Sequence, residues 1–261
     1  MDETTVRDYL HRINAEPVDT PNAAGLARLQ RRHLATVPFE NLAVHLPGAL
    51  SLDPADLVEK VVHRRRGGFC FELNGLFGLL LRALGYRVDL VGARVFHGST
   101  PGPPQDHLAL VVTDVDGGRW LADVGFGRFA LGPLRWDSRA EQMDGVGVFR
   151  LTDTPDGQVD VHHGTEGAYR VDPRPLALAD FAPMCWWHST SPASGFTRRL
   201  TCSLPLGEAG DRVTLAGRRL IRTVGDQREE IELATDEEVL AAYRTEFGIE
   251  LNEVPSVATS G

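Results

Sequence analysis

The chain has 261 residues, 42% hydrophobic and 24% charged, with a net charge of −9. That is the balance of a soluble protein of one large domain or a few small ones, and its acidity argues against nucleic acid as a main partner. No apolar run reaches the roughly 18–20 residues of a membrane span, and the polar opening "MDETTVRDYL" does not read as a signal peptide, so the expected address is cytoplasmic.

The first third reads helical. "TTVRDYLHRI" is followed by "NAAGLARLQRRHLATV", with Leu26, Leu29, Leu34 and Val37 apolar and Asn22 placed to cap. Pro38 stops that helix. Another starts in "DPADLVEKVVHRR", with Asp53 as cap and Pro54 in the first helical position. The apolar run from Phe69 to a stop at Gly85 predicts a buried helix with Cys70 at its mouth.

From Tyr86 the period changes to two. "YRVDLVGARVFH", "DHLALVVTDV" and "GRWLADVGF" read as strands, with "STPGPPQD" (99–106) a loop. Short strands follow near 147–152, 158–162 and 168–172, which predicts a small antiparallel sheet or barrel. Beyond about 190, "FTRRLTCSLPL" alternates, placing Phe196, Leu200, Cys202, Leu204 and Leu206 on one face. "DRVTLAGRRLIRTVGDQREEIEL" reads as a three-stranded meander. Thr235 and Glu238 form a capping box for a last helix, and the tail "NEVPSVATSG" is expected to fray.

Three cysteines without CxxC spacing make neither a disulfide framework nor a zinc site. Cys202 reads as packing, on the apolar face of its strand, and packing is also favoured for Cys185 in "PMCWWH". Cys70 stands between two roles. Free cysteine packs well in cores. A helix N-terminus, however, offers unpaired N–H groups and partial positive charge, which favours thiolate over thiol and stabilises a nearby oxyanion.

A thiolate nucleophile works with a base and an orienting group. Among nine histidines, His107 opens a strand, and Asp123 closes the next one sixteen residues later. Their equal parity makes their facing depend on the turn. A two-residue Asp116-Gly117 loop in a regular hairpin would point them to opposite faces. A three-residue loop, Val115-Asp116-Gly117 with the glycine left-handed, would set Asp123 opposite Ala109 and diagonal to His107. A hydrogen bond between them therefore predicts the three-residue loop.

The ordered set "VPFENL" (37–42), "RGGFCFELN" (66–74), "HLALVV" (107–112), "DVGFG" (123–127) and "STSPASGFTRRL" (189–200) resembles the arylamine N-acetyltransferase family. The tail "FGIEL" (247–251) is also similar. "RGGFCFELN" is the specific element; the others gain weight from their order. The resemblance implies an α+β, three-part fold: a helical bundle (1–85) carrying the nucleophile, an antiparallel β-barrel (86–188) carrying His and Asp, and an α/β lid (189–261). The first two parts would form a papain-like or transglutaminase-like cysteine catalytic core. It also implies a Cys70–His107–Asp123 triad, without a metal. The activity implied is ping-pong acetyl transfer from acetyl-CoA through an acyl-cysteine thioester to an arylamine, hydrazine or N-hydroxyarylamine.

Phe39, Val95, Phe126 and Phe196 match positions that line the acceptor pocket or cover the acyl-cysteine, with core packing as the plain alternative for each. Gly127, beside Phe126, matches a glycine that lets the cofactor approach the backbone. Glu40 and Arg66 match an ion pair that braces the nucleophile's loop. Asp106, just before His107, departs from the small hydroxyl residue common there and would not favour a polyphosphate donor alongside it. Trp186 and Trp187 are bulky in a segment the family uses near its pocket rim. The rival reading within the fold is the family's amide synthase branch, in which an acyl carrier protein delivers a polyketide chain to the same cysteine and an arylamine closes a macrolactam. A peptidase-like hydrolase or a non-enzymatic binding module are the readings outside it.

Overall fold

In the computed structural model, which describes residues 1–48, 50–207 and 209–257, the side chain of Asp2 accepts from the Thr5 amide and starts α1 (Glu3–Arg12). Asn22 does the same for α2 (Ala23–Thr36) through the Gly25 amide. Pro38 ends α2 and turns the chain into the short strand β1 (Phe39–Glu40). Asp53 caps α3 (Pro54–Val58), which runs on into one π-helical turn at Glu59–His63.

Helix α4 (Cys70–Ala83) begins at Cys70 itself, with Phe69 as the extended cap residue. Its N-terminus is held by Glu72, whose Oε2 accepts from the Phe69 N–H at 3.2 Å. The two preceding glycines are there for space. A Cβ on Gly67 would lie 1.9 Å from the Pro38 carbonyl oxygen, and one on Gly68 2.7 Å from Glu72 Oε2. That close approach lets β1 bridge Gly68 through Phe39. Cys70 through Gly78 are all buried, which makes α4 the central helix. Gly85, at φ +88°, ends it.

The following strands are β2 (Arg87–His97), β3 (Thr100–Pro101), β4 (His107–Val115), β5 (Gly118–Ala122), β6 (Leu134–Arg135), β7 (Gln142–Asp144), β8 (Gly147–Asp153), β9 (Val159–His163) and β10 (Glu166–Leu176). They form an antiparallel sheet in the order β6-β5-β4-β2-β10-β9-β8-β7, with β3 pairing β2 inside the segment expected to be only loop. The Gln142 side chain joins the two ends of the order. Its Oε1 accepts from the Arg135 N–H at 2.6 Å and its Nε2 donates to the Arg135 carbonyl at 3.0 Å, so the sheet nearly closes into a barrel.

After α5 (Ala182–Thr190) and the single-turn α6 (Gly195–Arg198) come β11 (Cys202–Leu206), β12 (Asp211–Ala216), β13 (Arg219–Val224), β14 (Gln227–Glu232) and α7 (Asp236–Phe247). Strands β12, β13 and β14 form the expected three-stranded meander, β11 pairs with β12 at its edge, and β1 pairs with β11. The Thr235–Glu238 capping box is present. Phe196 is not on an extended strand as its alternation suggested. Ser194 caps a helical turn through the Phe196 N–H at 3.1 Å, which lifts Phe196 off the strand that Leu200 and Cys202 continue. The expected boundary at 188/189 falls inside α5. Residues 258–261 of the tail expected to fray lie outside the described residues.

Three apolar clusters fill the structure. One surrounds α4, one fills the barrel around Tyr169 and Phe149, and one lies between the meander and α7 around Tyr243 and Cys202.

Candidate active site

The β4–β5 hairpin corrects the loop expected from the sequence. Val115 pairs with Gly118, so the loop is the two-residue Asp116-Gly117, both residues at positive φ (50° and 71°). Parity is restored elsewhere. A bulge between Val112 and Val115 sets Thr113 and Asp114 against Arg119, with Asp114 at φ +57°. Beyond the bulge Leu110 pairs with Ala122. One step further, Asp123 lies across from Ala109 and diagonal to His107. The predicted facing is present, through an even loop plus one extra residue in the strand.

His107 and Asp123 are both buried, and His107 Nε2 lies 2.7 Å from Asp123 Oδ2. With Nε2 donating to the carboxylate, Nδ1 is the free ring nitrogen. Phe126 and Tyr169 pack on the ring, with centroids 5.2 and 5.0 Å away. Burial alone would raise the Asp123 carboxyl. The charge and hydrogen bond of His107, with bonds from Asn74 and the Gly125 amide, outweigh it and hold the carboxyl below its ordinary value.

Asn74 escaped the sequence reading, although a polar residue one turn after Cys70 in an apolar helix was a usable signal. Its Nδ2 donates to Asp123 Oδ1 at 2.8 Å and to the Leu108 carbonyl at 2.7 Å, and its Oδ1 accepts from the Val124 amide at 2.8 Å. One side chain of α4 thus locks β4 and the end of β5 onto the turn that carries Cys70. Gly125 completes the lock, since a Cβ there would lie 2.6 Å from the Cys70 Cα.

Cys70 is buried. Burial pushes its thiol well above the ordinary value; a hydrogen bond from the Leu108 backbone pulls it down, and the Asp123 and Asp106 carboxylates push it up. Burial is the largest of these influences, and the thiol stays raised. Cys185 and Cys202 are buried and raised for the same first reason.

Cys70 and His107 open on one cavity of about 1090 Å³. Phe39, Val95, Phe126 and Phe196 all line it. Gly125 and Phe126 form its wall where Gly127 was expected. Gly127, at φ +91°, instead gives its carbonyl to Arg212 Nη2 at 2.7 Å. Beneath the site, Glu40 accepts from Arg66 at 2.8 and 3.1 Å, and Lys60 sits 2.6 Å from Glu72. Both carboxylates are raised by burial. For Glu40, Lys60, Arg66 and the Leu42 amide reverse the sign; for Glu72 burial wins. Among the described residues no group of three or more His, Cys, Asp or Glu is placed to hold a metal ion, and no helix is long and apolar enough to cross a membrane.

A central helix that sets a buried cysteine against an antiparallel barrel bearing a His–Asp pair makes the α+β fold with a papain-like or transglutaminase-like core. The family model described as N-acetyltransferase matches residues 23–256. The arylamine N-acetyltransferase of Mycobacterium tuberculosis is 37% identical over 255 residues, covering 94% of this chain and 89% of that protein. The solved arylamine N-acetyltransferase of Salmonella typhimurium superposes with a TM-score of 0.88 at 30% identity, covering 99% of this chain and 96% of that one. The structure of Mycobacterium marinum arylamine N-acetyltransferase in complex with CoA matches with a TM-score of 0.83 at 31% identity, over 94% and 92% of the two chains. The chain belongs to the arylamine N-acetyltransferase family.

Proposed function

We propose that this enzyme transfers an acetyl group from acetyl-CoA to an arylamine, hydrazine or N-hydroxyarylamine through a thioester on Cys70. The observation that carries the reading is the Cys70–His107–Asp123 cluster opening on an aromatic-lined cavity.

In the first half-reaction the Cys70 proton passes to His107 Nδ1, giving a thiolate beside an imidazolium. The N-terminal charge of α4 favours that thiolate, and Asp123 holds the ring and stabilises the imidazolium. The sulfur attacks the thioester carbonyl, the bond to the CoA sulfur breaks, and His107 returns the proton to the departing thiol. In the second half-reaction the amine attacks the acyl-cysteine, His107 takes its proton, and Cys70 leaves as thiolate. The thioester exchange is close to balanced, whereas the amide product lies downhill.

Phe39, Val95, Phe126 and Phe196 form the apolar acceptor pocket in this reading, and Phe126 with Gly125, in place of Gly127, flanks the donor. Cores around α4, in the barrel and under α7 favour a three-part division like the expected 1–85, 86–188 and 189–261, with the second boundary moved to the end of α5. Three free, buried cysteines suit a reducing cytoplasm. The amide synthase alternative would share every step except the donor; the relatives named above are acetyltransferases, which places acetyl-CoA ahead of a carrier-bound chain.

Incubation with acetyl-CoA should add one acetyl group at Cys70 by peptide mass, and an added arylamine should discharge it as the N-acetylarylamine. Failure to load Cys70 sinks the reading.

A further inference from the structure

Asp106 and His188 form a second buried pair in the same cavity. His188 Nε2 on α5 lies 2.9 Å from Asp106 Oδ1, and both side chains are at most one-tenth exposed. His188 Nδ1 is buried without a hydrogen-bond partner. The carboxylate therefore selects the Nε2–H tautomer, because a second proton on Nδ1 would be buried without an acceptor. The ring is clamped between Phe71 and Phe196, at 5.9 and 5.3 Å. The His188 carbonyl accepts from Ser194 Oγ at 2.8 Å, which ties the turn carrying Phe196 to the pair.

Asp106 thus engages His188 through one oxygen. Among the described residues its Oδ2 has no hydrogen-bond partner; it lies beside Gly102, where a Cβ would stand 2.5 Å away. Asp106 lines the cavity together with Cys70, and its charge is felt at the Cys70 sulfur. The cavity also carries Arg198, Arg199 and Arg219; where its wall is apolar, beside Phe126 and Phe196, a fixed carboxylate attracts N–H donors and repels anions more strongly than in water.

We propose that Asp106, positioned by His188, determines acceptor specificity: its free carboxylate oxygen takes a second N–H beside the reacting nitrogen, favouring hydrazides and hydrazines and disfavouring acceptors that carry a carboxylate. The proposal rests on the acyl-transfer reading for its consequence in turnover, but not for its binding step.

Benzohydrazide, aniline and 4-aminobenzoate are the probes. On protein acylated at Cys70 by the uncharged donor p-nitrophenyl acetate, kcat/KM for each acceptor is measured in wild type, Asp106→Asn, Asp106→Ser, His188→Leu and His188→Gln. The benzohydrazide-to-aniline ratio should fall about tenfold in both Asp106 variants, equal to ~1.4 kcal/mol. The 4-aminobenzoate-to-aniline ratio should rise. His188→Leu should follow the Asp106 variants, whereas His188→Gln, which can still donate to the carboxylate, should recover part of the benzohydrazide preference. Ratios that stay constant, or three acceptors that weaken together, overturn the proposal and leave a structural pair. The same ratios are read from dissociation constants on unacylated Cys70→Ser protein by ligand-observed NMR. Absence of an acyl-enzyme would then count against the acetyl-transfer reading alone, while an unchanged binding ratio would count against Asp106.

Discussion

At Cys70 two electrostatic influences oppose each other. The first turn of α4 favours the thiolate, while burial, the largest influence on the thiol, and two carboxylates favour the protonated form. The sequence displays the helix mouth but not the depth at which the fold buries it. The proton must therefore go to His107. Alkylation by iodoacetamide should persist well below the ordinary thiol value of about 8.5 in the wild type. In His107→Asn it should move to the alkaline side of that value, as burial dictates, and a wild-type profile following an ordinary thiol would contradict the pairing. Asn74 acts one bond further out. Asn74→Ala removes one of the two N–H groups that Asp123 Oδ1 receives and unties β4 from α4. Single-turnover acylation should slow by roughly 10- to 100-fold, the scale of a misplaced catalytic group, with the fold retained by circular dichroism.

The β4–β5 hairpin carries the relation between His107 and Asp123. Strand periodicity predicted both strands, because the alternating pattern is local, but it left their facing to the turn, and the three-residue loop expected there is a two-residue one. The bulge was not legible, since Thr113-Asp114 looks like any polar pair near a turn, and the choice between a longer loop and a bulge depends on the twist of the partner strand. The register makes a direct test. Deleting Asp114 removes the extra residue, so it should leave a regular two-residue hairpin in which Thr113 pairs with Arg119, Leu110 still pairs with Ala122 and Asp123 keeps its facing to His107, and acylation should be retained. Asp114→Gly, which relieves the positive φ, should keep activity and match or slightly exceed wild-type stability. Loss of acylation in the deletion, with unfolding still cooperative, would mean that the bulge places the pair by more than its register. Phe196 teaches the converse: a periodic pattern extended into "SGFTRRL" failed because the Ser194 cap outweighed alternation.

Across the assembled chain, α4 joins the parts: Asn74 holds the barrel, and Gly67-Gly68 admit β1, which in turn pairs with the terminal meander. Its packing also buries His33, between Tyr9 and Phe77, with neither ring nitrogen hydrogen-bonded and its pKa lowered by burial and by Arg12 to about 3. The unfolded chain binds this proton below its ordinary 6.5 and the folded chain does not. Stability is therefore full above 6.5 and declines as pH falls towards 3, by up to ~1.4 kcal/mol per pH unit. Asp123 and Glu40, both lowered, add to the loss further into acid, as pH falls through their folded values. In His33→Leu, denaturant unfolding between pH 6.5 and 4 should show a flatter decline than wild type; an equal slope would mean that His33 does not remain neutral. Caps, stops, strand periods and the poised positions of Cys70, His107 and Asp123 were present in the order of residues, because they depend on neighbours a few positions away. The depth of Cys70, the bulge that faces Asp123 to His107, the lock at Asn74 and the pairing of Asp106 with His188 across 82 positions came from packing distant segments together. Burial and long-range contact are properties of the assembled chain, and no local pattern encodes them.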